Sequence, residues 1–180
     1  MKTLKPRGSQ RGVFLLEVLI AIVIFAIGIL AMISMQAVSI AAQNDSQYRA
    51  EAEHLIDQLT SQIRLAVVHD TTTGNVDATN FATFAHQATT DSNCAFSGAA
   101  STSTIVIGTA SEAGWVRAVR GLDVSDNPVP GKGLPGVTAA RVQILASTVT
   151  AGINQLRVTI CWQGANDRTS HSHSVVAYID

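Results

Sequence analysis

The chain has 180 residues, of which 47% are hydrophobic and 5% aromatic, and its formal net charge at pH 7 is −1. That charge excludes a uniformly basic chain of the kind that binds nucleic acid through its overall field. The length leaves room for one small globular domain beside a further segment.

The N-terminus joins a basic stretch to a long apolar one. Residues 1–12 hold four basic side chains and no Asp or Glu, and residues 13–35 are predominantly apolar. About 20 apolar residues span the hydrocarbon core of a bilayer, so residues 13–35 are predicted to form a transmembrane helix. The basic flank predicts a cytoplasmic N-terminus. A secretory signal peptide is disfavoured, because its apolar region has about 7 to 15 residues and ends in a small-residue cleavage site.

One ionisable side chain, Glu17, interrupts this apolar run. A carboxylate inside a membrane segment costs about 3 kcal/mol on insertion scales and by default marks a functional site. The alternative interpretation places Glu17 at the interfacial edge of the membrane, close to Val13, where the cost is much smaller.

The helix is predicted to continue beyond the membrane as an amphipathic half, residues 36–68. Its apolar residues recur at steps of three and four, as on one helical face; they are Tyr48, Ala52, Leu55, Leu59, Ile63 and Ala66. No proline occurs in residues 13–68, which predicts one helix of about 80 Å. Two helices broken near residues 39–46 are the alternative. Turn-forming residues at 69–75 end the helix.

Residues 69–180 are predicted to form one small domain outside the membrane. Its early part offers Phe81, Phe84 and Phe96 as core anchors. Residues 104–107 (Thr-Ile-Val-Ile) predict a short buried strand, and residues 114–119 fit a short helix or a strand equally well. The prolines and glycines of residues 128–136 predict a loop.

The end of the chain predicts a sheet. Three runs rich in β-branched and aromatic residues, 142–145, 156–162 and 174–179, are separated by turns at Ala151-Gly152 and residues 164–172. Such spacing is typical of an antiparallel meander. The sheet is expected to pack on the apolar face of the amphipathic half of the helix, with Leu55, Leu59 and Ile63 against Leu156, Val158 and Ile160. The predicted fold class is therefore α+β.

The two cysteines, Cys94 and Cys161, both lie in the part placed outside the membrane. If the cytoplasmic N-terminus is correct, that compartment is oxidising, so a disulfide is expected. Closing so long a loop would contribute about 4 kcal/mol in the chain-entropy model. Two unpaired buried thiols are the alternative.

Other chemistry is weakly indicated. His171 and His173 share a face if extended, but no third ligand at a metal-binding spacing accompanies them, which favours a solvated turn or a strand edge. The chain has no nucleophile elbow and no phosphate-binding loop. Arg117 and Arg120, the basic pair beyond the N-terminus, are interpreted as a solvated face. We therefore expect no enzyme activity, no cofactor, no metal and no nucleic-acid partner.

The stretch Arg11-Gly12 followed by Val13-Phe14-Leu15-Leu16-Glu17-Val18-Leu19-Ile20-Ala21 resembles the prepilin signature of type IV pilins and type II secretion pseudopilins. In that family an inner-membrane aspartyl prepilin peptidase cleaves after the glycine and methylates the new N-terminal amine. The resemblance implies that residues 1–12 are a leader, that Gly12 ends it and that Val13 carries the methylated amine. It also implies a "ladle": a long transmembrane helix packed on a small antiparallel sheet.

The resemblance gives Glu17 a partner. Once Val13 has a free amine, opposite charges attract strongly in a low-dielectric medium. Glu17 of one subunit can pair with the Val13 amine of its neighbour and set the axial stagger between subunits. Pairing within one helix, with its own amine, is the alternative.

A finer resemblance is to PilV-type minor pilins, carried by residues 15–22, 25–30, 35–37, 133–136 and 158–162. It implies a subunit in the inner membrane, later at the pilus tip, that primes assembly and acts in motility or adhesion. Its partners would be the prepilin peptidase, other minor pilins, the major pilin, the inner-membrane assembly platform and lipid. The alternatives are a type II secretion minor pseudopilin and a membrane-anchored periplasmic binding module that never polymerises. The chain lacks the helix-kinking proline of many major pilins, so their filament packing is not carried over.

Overall fold

A computed structural model describes residues 11–89, 93–150, 153–165 and 167–179. The predicted leader therefore lies outside the described residues except for Arg11 and Gly12. The helices are α1 (Arg11–Ala66), α2 (Ala78–Ala82), α3 (Thr104–Ile107) and α4 (Trp115–Arg120), followed by a 3₁₀ turn, Ala139–Arg141. The strands are β1 (Val142–Thr150), β2 (Ile153–Trp162) and β3 (His171–Ile179). The protein is thus α+β, and it separates into two compact units, Met1–Ser46 and Gln47–Asp180.

The first unit is the apolar part of α1. The helix is continuous through residues 39–46, so the alternative of two helices is wrong. No proline interrupts it, and its Ala, Leu and Met residues favour the helical backbone. Every side chain from Val13 to Asn44 is exposed. Such an apolar surface requires lipid or other apolar helices around it.

The second unit is built around the amphipathic part of α1, whose apolar residues lie on one helical face. Leu55, Leu59 and Ile63 are buried in one hydrophobic core with Leu156 and Val158 of β2, as the spacing predicted. Other members of this core come from the remaining helices and strands; the largest include Phe81, Phe84, Trp115, Trp162 and Ile179.

The helix α1 ends at Ala66, two residues before the predicted end. A turn follows in which the carboxylate of Asp70 accepts hydrogen bonds from the main-chain N–H groups of Thr72 (2.7 Å) and Thr73 (2.8 Å). These local bonds offer the backbone an alternative to the helix, which is why Asp and Thr favour turns.

The sheet has the order β1-β2-β3 with both pairs antiparallel, which confirms the predicted meander. The strands are longer than predicted: β1 extends to Thr150, and β3 begins at His171. Polar residues 147 and 148 gave no apolar signal, yet cross-strand pairing holds them in the sheet. For example, Thr148 donates a hydrogen bond of 2.9 Å to Asn154 of β2. The turn predicted at Ala151-Gly152 lies outside the described residues.

The prediction of a strand at residues 104–107 is wrong, because this segment forms α3. Ser103 precedes the helix with extended backbone, and Gly108, at φ 82°, ends it. The β-branched residues suggested a strand, but one turn suffices to bury Val106, which is 0% exposed. The open choice at residues 114–119 resolves as the helix α4, which ends at Gly121 in the left-handed region.

Candidate functional site

Glu17 stands alone on an exposed helical surface. It is the one ionisable side chain in residues 13–44, and its side chain is exposed in the isolated chain. Its neighbours Leu16 and Val18 are apolar and exposed, at 59% and 41%. A bilayer or a bundle of apolar helices around this surface would leave the carboxylate poorly solvated, so it would require a cation or a hydrogen-bond donor.

Gly12 and Val13 lie in the first turn of α1. The N–H groups of a first turn have no intrahelical acceptor, and glycine in a helix is less stable than alanine by about 0.5 to 1 kcal/mol. Local unwinding at Gly12 is therefore inexpensive. Val13 and Glu17 are four residues apart and so share one helical face.

One helix in the described part of the chain is long and apolar enough to cross a membrane: the segment Val13–Ala66 contains it. Its most apolar window is entirely exposed, so this is not the buried core helix of a soluble domain.

Cys94 and Cys161 form the expected disulfide, with their Cα atoms 5.8 Å apart. Cys161 lies near the end of β2 and is 0% exposed. The bridge therefore fastens the segment around Cys94 to the sheet. Two hydrogen bonds also hold this part of the chain: the side chain of Gln143 in β1 donates to the carbonyl of Gln87 (3.1 Å), and the N–H of Phe96 donates to the carbonyl of Ala140 in the 3₁₀ turn before β1 (2.7 Å).

A buried hydrogen bond between α4 and α1 was not predicted from the sequence. The indole Nε1 of Trp115 in α4 donates a hydrogen bond to the main-chain carbonyl of Leu55 in α1, at 2.6 Å. Both residues are buried. The sequence pattern could not predict this bond, because the two residues are far apart in the chain. The only signal was an isolated tryptophan beside Gly114.

The two histidines lie in β3, an edge strand, where they are half-buried and not in a solvated turn. His171 and His173 pair across the sheet with Trp162 and Ile160, and the ring of His171 stacks on Trp162 with centroids 6.0 Å apart. Nε2 of His171 is 3.3 Å from a carboxylate oxygen of Asp167. Within the described ranges, no group of three His, Cys, Asp or Glu side chains is placed to hold a metal ion.

Arg117 is engaged in an ion pair. Its Nε donates to Asp126 at 3.0 Å and its Nη1 donates to the carbonyl of Ile107 at 3.0 Å. The hydrogen bond from Arg117 lowers the pKa of Asp126, and the same bond raises the pKa of Arg117. This guanidinium is therefore satisfied by a carboxylate within its own domain.

The second unit also carries a groove of about 700 Å³ between α1 and residues 113–133. Tyr48, Leu55 and Val129 contribute apolar surface, and Glu51 and Lys132 contribute charge. The groove is open. Asp123 also lines it, and hydrogen bonds from the main-chain N–H groups of Asn127 and Ser125 lower the pKa of this carboxyl group.

The fold and the site together define a protein with an exposed apolar helix, one carboxylate near its start, and a disulfide-bonded α+β domain. No protein-family model, curated protein or solved structure matches the chain.

Proposed function

We propose that this chain is a minor pilin of a type IV pilus, processed by a prepilin peptidase and acting with other minor pilins to prime or cap assembly. The observation that carries the proposal is Glu17, the lone carboxylate on an apolar helix whose side chains are exposed from Val13 to Asn44. It follows Gly12 at the distance that the prepilin signature requires.

The proposed mechanism starts with the apolar helix held in the inner membrane, its N-terminus in the cytoplasm and the disulfide-bonded domain in the periplasm. Cleavage after Gly12 creates a charged amine on Val13, which N-methylation retains. In a medium of low dielectric, this amine and a carboxylate attract each other strongly. Glu17 then docks the amine of a neighbouring subunit, while the apolar surfaces of the two helices cover each other.

The pairing partner decides whether Glu17 acts in assembly. Val13 and Glu17 of one chain share a helical face, so an internal pair would neutralise both charges without a partner. A pair between subunits instead fixes their axial stagger, as a single polar pair fixes register in a coiled coil. The domain after Gln47 would then select which minor or major pilin is the neighbour and contact the assembly platform, and the finished subunit would sit at the pilus tip.

The testing experiment compares Glu17→Gln with the wild type in the native host. Surface filaments are counted by electron microscopy, and the mass of the purified subunit reports cleavage and methylation. We expect Glu17→Gln to be cleaved after Gly12 but to give at least tenfold fewer filaments. Gln36→Ala, an exposed polar side chain on the same helix, is the matched control and should leave filament numbers unchanged.

Gly12→Val tests processing separately, because a branched side chain there should block cleavage and leave residues 1–12 attached. Full piliation by Glu17→Gln would falsify the docking role. Secreted hydrolase activity is assayed in the same cultures: normal piliation with lost secretion in a deletion strain would assign the chain to a type II secretion pseudopilus. Normal piliation and normal secretion in Gly12→Val would instead indicate an anchor that does not polymerise.

A further inference from the structure

His86 joins two segments of the second unit to the edge of the sheet. Its main-chain N–H donates to the carbonyl of Ile144 in β1 at 3.0 Å, and its carbonyl accepts from the N–H of Ile144 at 2.9 Å. Its imidazole Nδ1 accepts a hydrogen bond of 3.2 Å from the main-chain N–H of Ser101. The side chain is almost fully buried, with 3% exposed.

The bond to Ser101 belongs to a small network. The hydroxyl of Ser101 donates to the carbonyl of Thr83 at 2.5 Å, and the N–H of Ser103 donates to the same carbonyl at 3.3 Å. Ser101 is also buried, with 3% exposed. His86 therefore connects two segments, residues 83–86 and residues 101–103, to β1. They lie along the edge of β1 that no other strand covers within the described chain.

The network requires an unprotonated Nδ1. An imidazolium has an N–H on both nitrogens and cannot accept a hydrogen bond, so protonation would set two donors against each other at Ser101. The other nitrogen, Nε2, is buried and forms no well-aligned hydrogen bond among the described residues. A positive charge at this site would therefore lose its hydration without a compensating anion.

Among the described residues, no carboxylate acts on the imidazole of His86. Neither β1 nor residues 101–103 contain an ionisable side chain, and on the 3₁₀ turn the charged group is Arg141, which is itself positive and donates to Gln163. Asp77, at the start of α2, accepts from the main-chain N–H groups of that helix. Burial lowers the pKa of His86, and the main-chain carbonyl of Ala139 acts in the opposite direction.

We propose that His86 is an acid-sensitive latch: neutral, it holds residues 101–103 and 83–86 against β1, and protonated, it releases them and exposes the β1 edge. The Cys94–Cys161 bridge keeps the released segments attached to β2. The released backbone groups of β1 would then be free to pair with another extended chain. The latch does not depend on the proposed pilus function, since it rests on contacts within the second unit.

Amide hydrogen exchange of the full chain in detergent micelles, followed from pH 7.5 to pH 4.5, tests the latch. Protection factors are used, so that the pH dependence of the exchange chemistry divides out. In the wild type we expect the amides of Ser101 and Ile144 to lose at least tenfold protection towards pH 4.5, while amides in the core of β2 keep theirs. His86→Asn places a carboxamide oxygen near Nδ1 and cannot titrate, so its protection should change less than twofold.

His54→Asn, on the exposed face of α1, is the control for removing a histidine and should behave as the wild type. Equal loss of protection in His86→Asn and the wild type would overturn the latch, and so would full protection in the wild type at pH 4.5. If His86→Asn does not fold, NMR titration of the wild-type imidazole decides: protonation in the folded state at or above pH 6.5 contradicts the latch, whereas protonation well below it, together with loss of the Ser101 amide, supports it.

Discussion

The indole of Trp115 donates a hydrogen bond to the main-chain carbonyl of Leu55 at 2.6 Å, and both residues are buried. Leu55 lies on the core-facing stripe of α1, and Trp115 opens α4. The bond therefore joins the long helix to the segment between α1 and β1, which contains the short helices α2, α3 and α4. It also satisfies an N–H that would otherwise be buried unpaired.

Trp115→Phe should lower the free energy of unfolding by about 1 to 3 kcal/mol, because it removes this donor and part of the buried ring. The measurement is urea denaturation of the full chain in detergent, followed by far-UV circular dichroism. Tyr178→Phe, which removes an exposed hydroxyl, is the control and should change stability by less than about 0.5 kcal/mol. Equal effects from both substitutions would show that the bond to Leu55 contributes nothing.

The stripe of α1 can be tested with two leucines on one helix. Leu59 is 0% exposed and Leu65 is 89% exposed. Leu59→Ala should destabilise the second unit by about 2 to 5 kcal/mol, since it leaves a cavity in the core. Leu65→Ala should change stability by less than about 0.5 kcal/mol, because both residues are good helix formers. The same denaturation experiment decides, and similar losses from both variants would contradict the described face.

The sequence predicted this face because a helix repeats every 3.6 residues, so a core-facing stripe leaves a legible pattern over five turns. Antiparallel strands such as β2 could be predicted because their β-branched and aromatic residues form runs between turns. The short helices were harder to predict. For example, α3 contains four residues, fewer than any periodicity needs, and its Ile and Val residues favour strands locally. Burial of Val106 overrode that local preference.

Glu17 could be identified from the sequence as a candidate site residue, because a single charge in an apolar run has no local explanation. His86 was not, because its chemistry depends on partners distant in sequence, Ser101 and Ile144. It lies in a stretch of Ala, Thr and Phe that carries no repeat. A contact of this kind follows from the tertiary arrangement and leaves no pattern in the chain.

Reduction of the Cys94–Cys161 bridge should destabilise the second unit by about 2 to 4 kcal/mol, since it frees a long loop in the unfolded chain. The bridge joins residues separated by 67 positions, and Cys161 is buried. Alkylation followed by mass spectrometry should label neither cysteine without reductant and both with it. Labelling that is the same under both conditions would contradict the bridge, and an unchanged denaturation midpoint after reduction would contradict its contribution to stability.

Acid should remove the stabilisation that Asp70 gives to the turn after α1. Hydrogen bonds from the main-chain N–H groups of Thr73 and Thr72 lower the pKa of Asp70 from its usual 3.8. A carboxyl group with a lowered pKa in the folded state stabilises the fold above the unfolded pKa, and that contribution is lost as the pH falls through the folded pKa. Asp70→Asn keeps a side-chain oxygen but removes the charge.

The free energy of unfolding, measured by thermal unfolding, should therefore be higher for the wild type than for Asp70→Asn. Above about pH 5 this difference should not depend on pH. The difference should shrink as the pH falls below about pH 4 and through the lowered folded-state pKa of Asp70, because the carboxylate is then protonated. Thr71→Ala, in the same turn, is the control, because it changes no titrating group and its offset from the wild type should not depend on pH. A wild-type advantage that persists unchanged at pH 2 would show that the charge of Asp70 does not stabilise the turn.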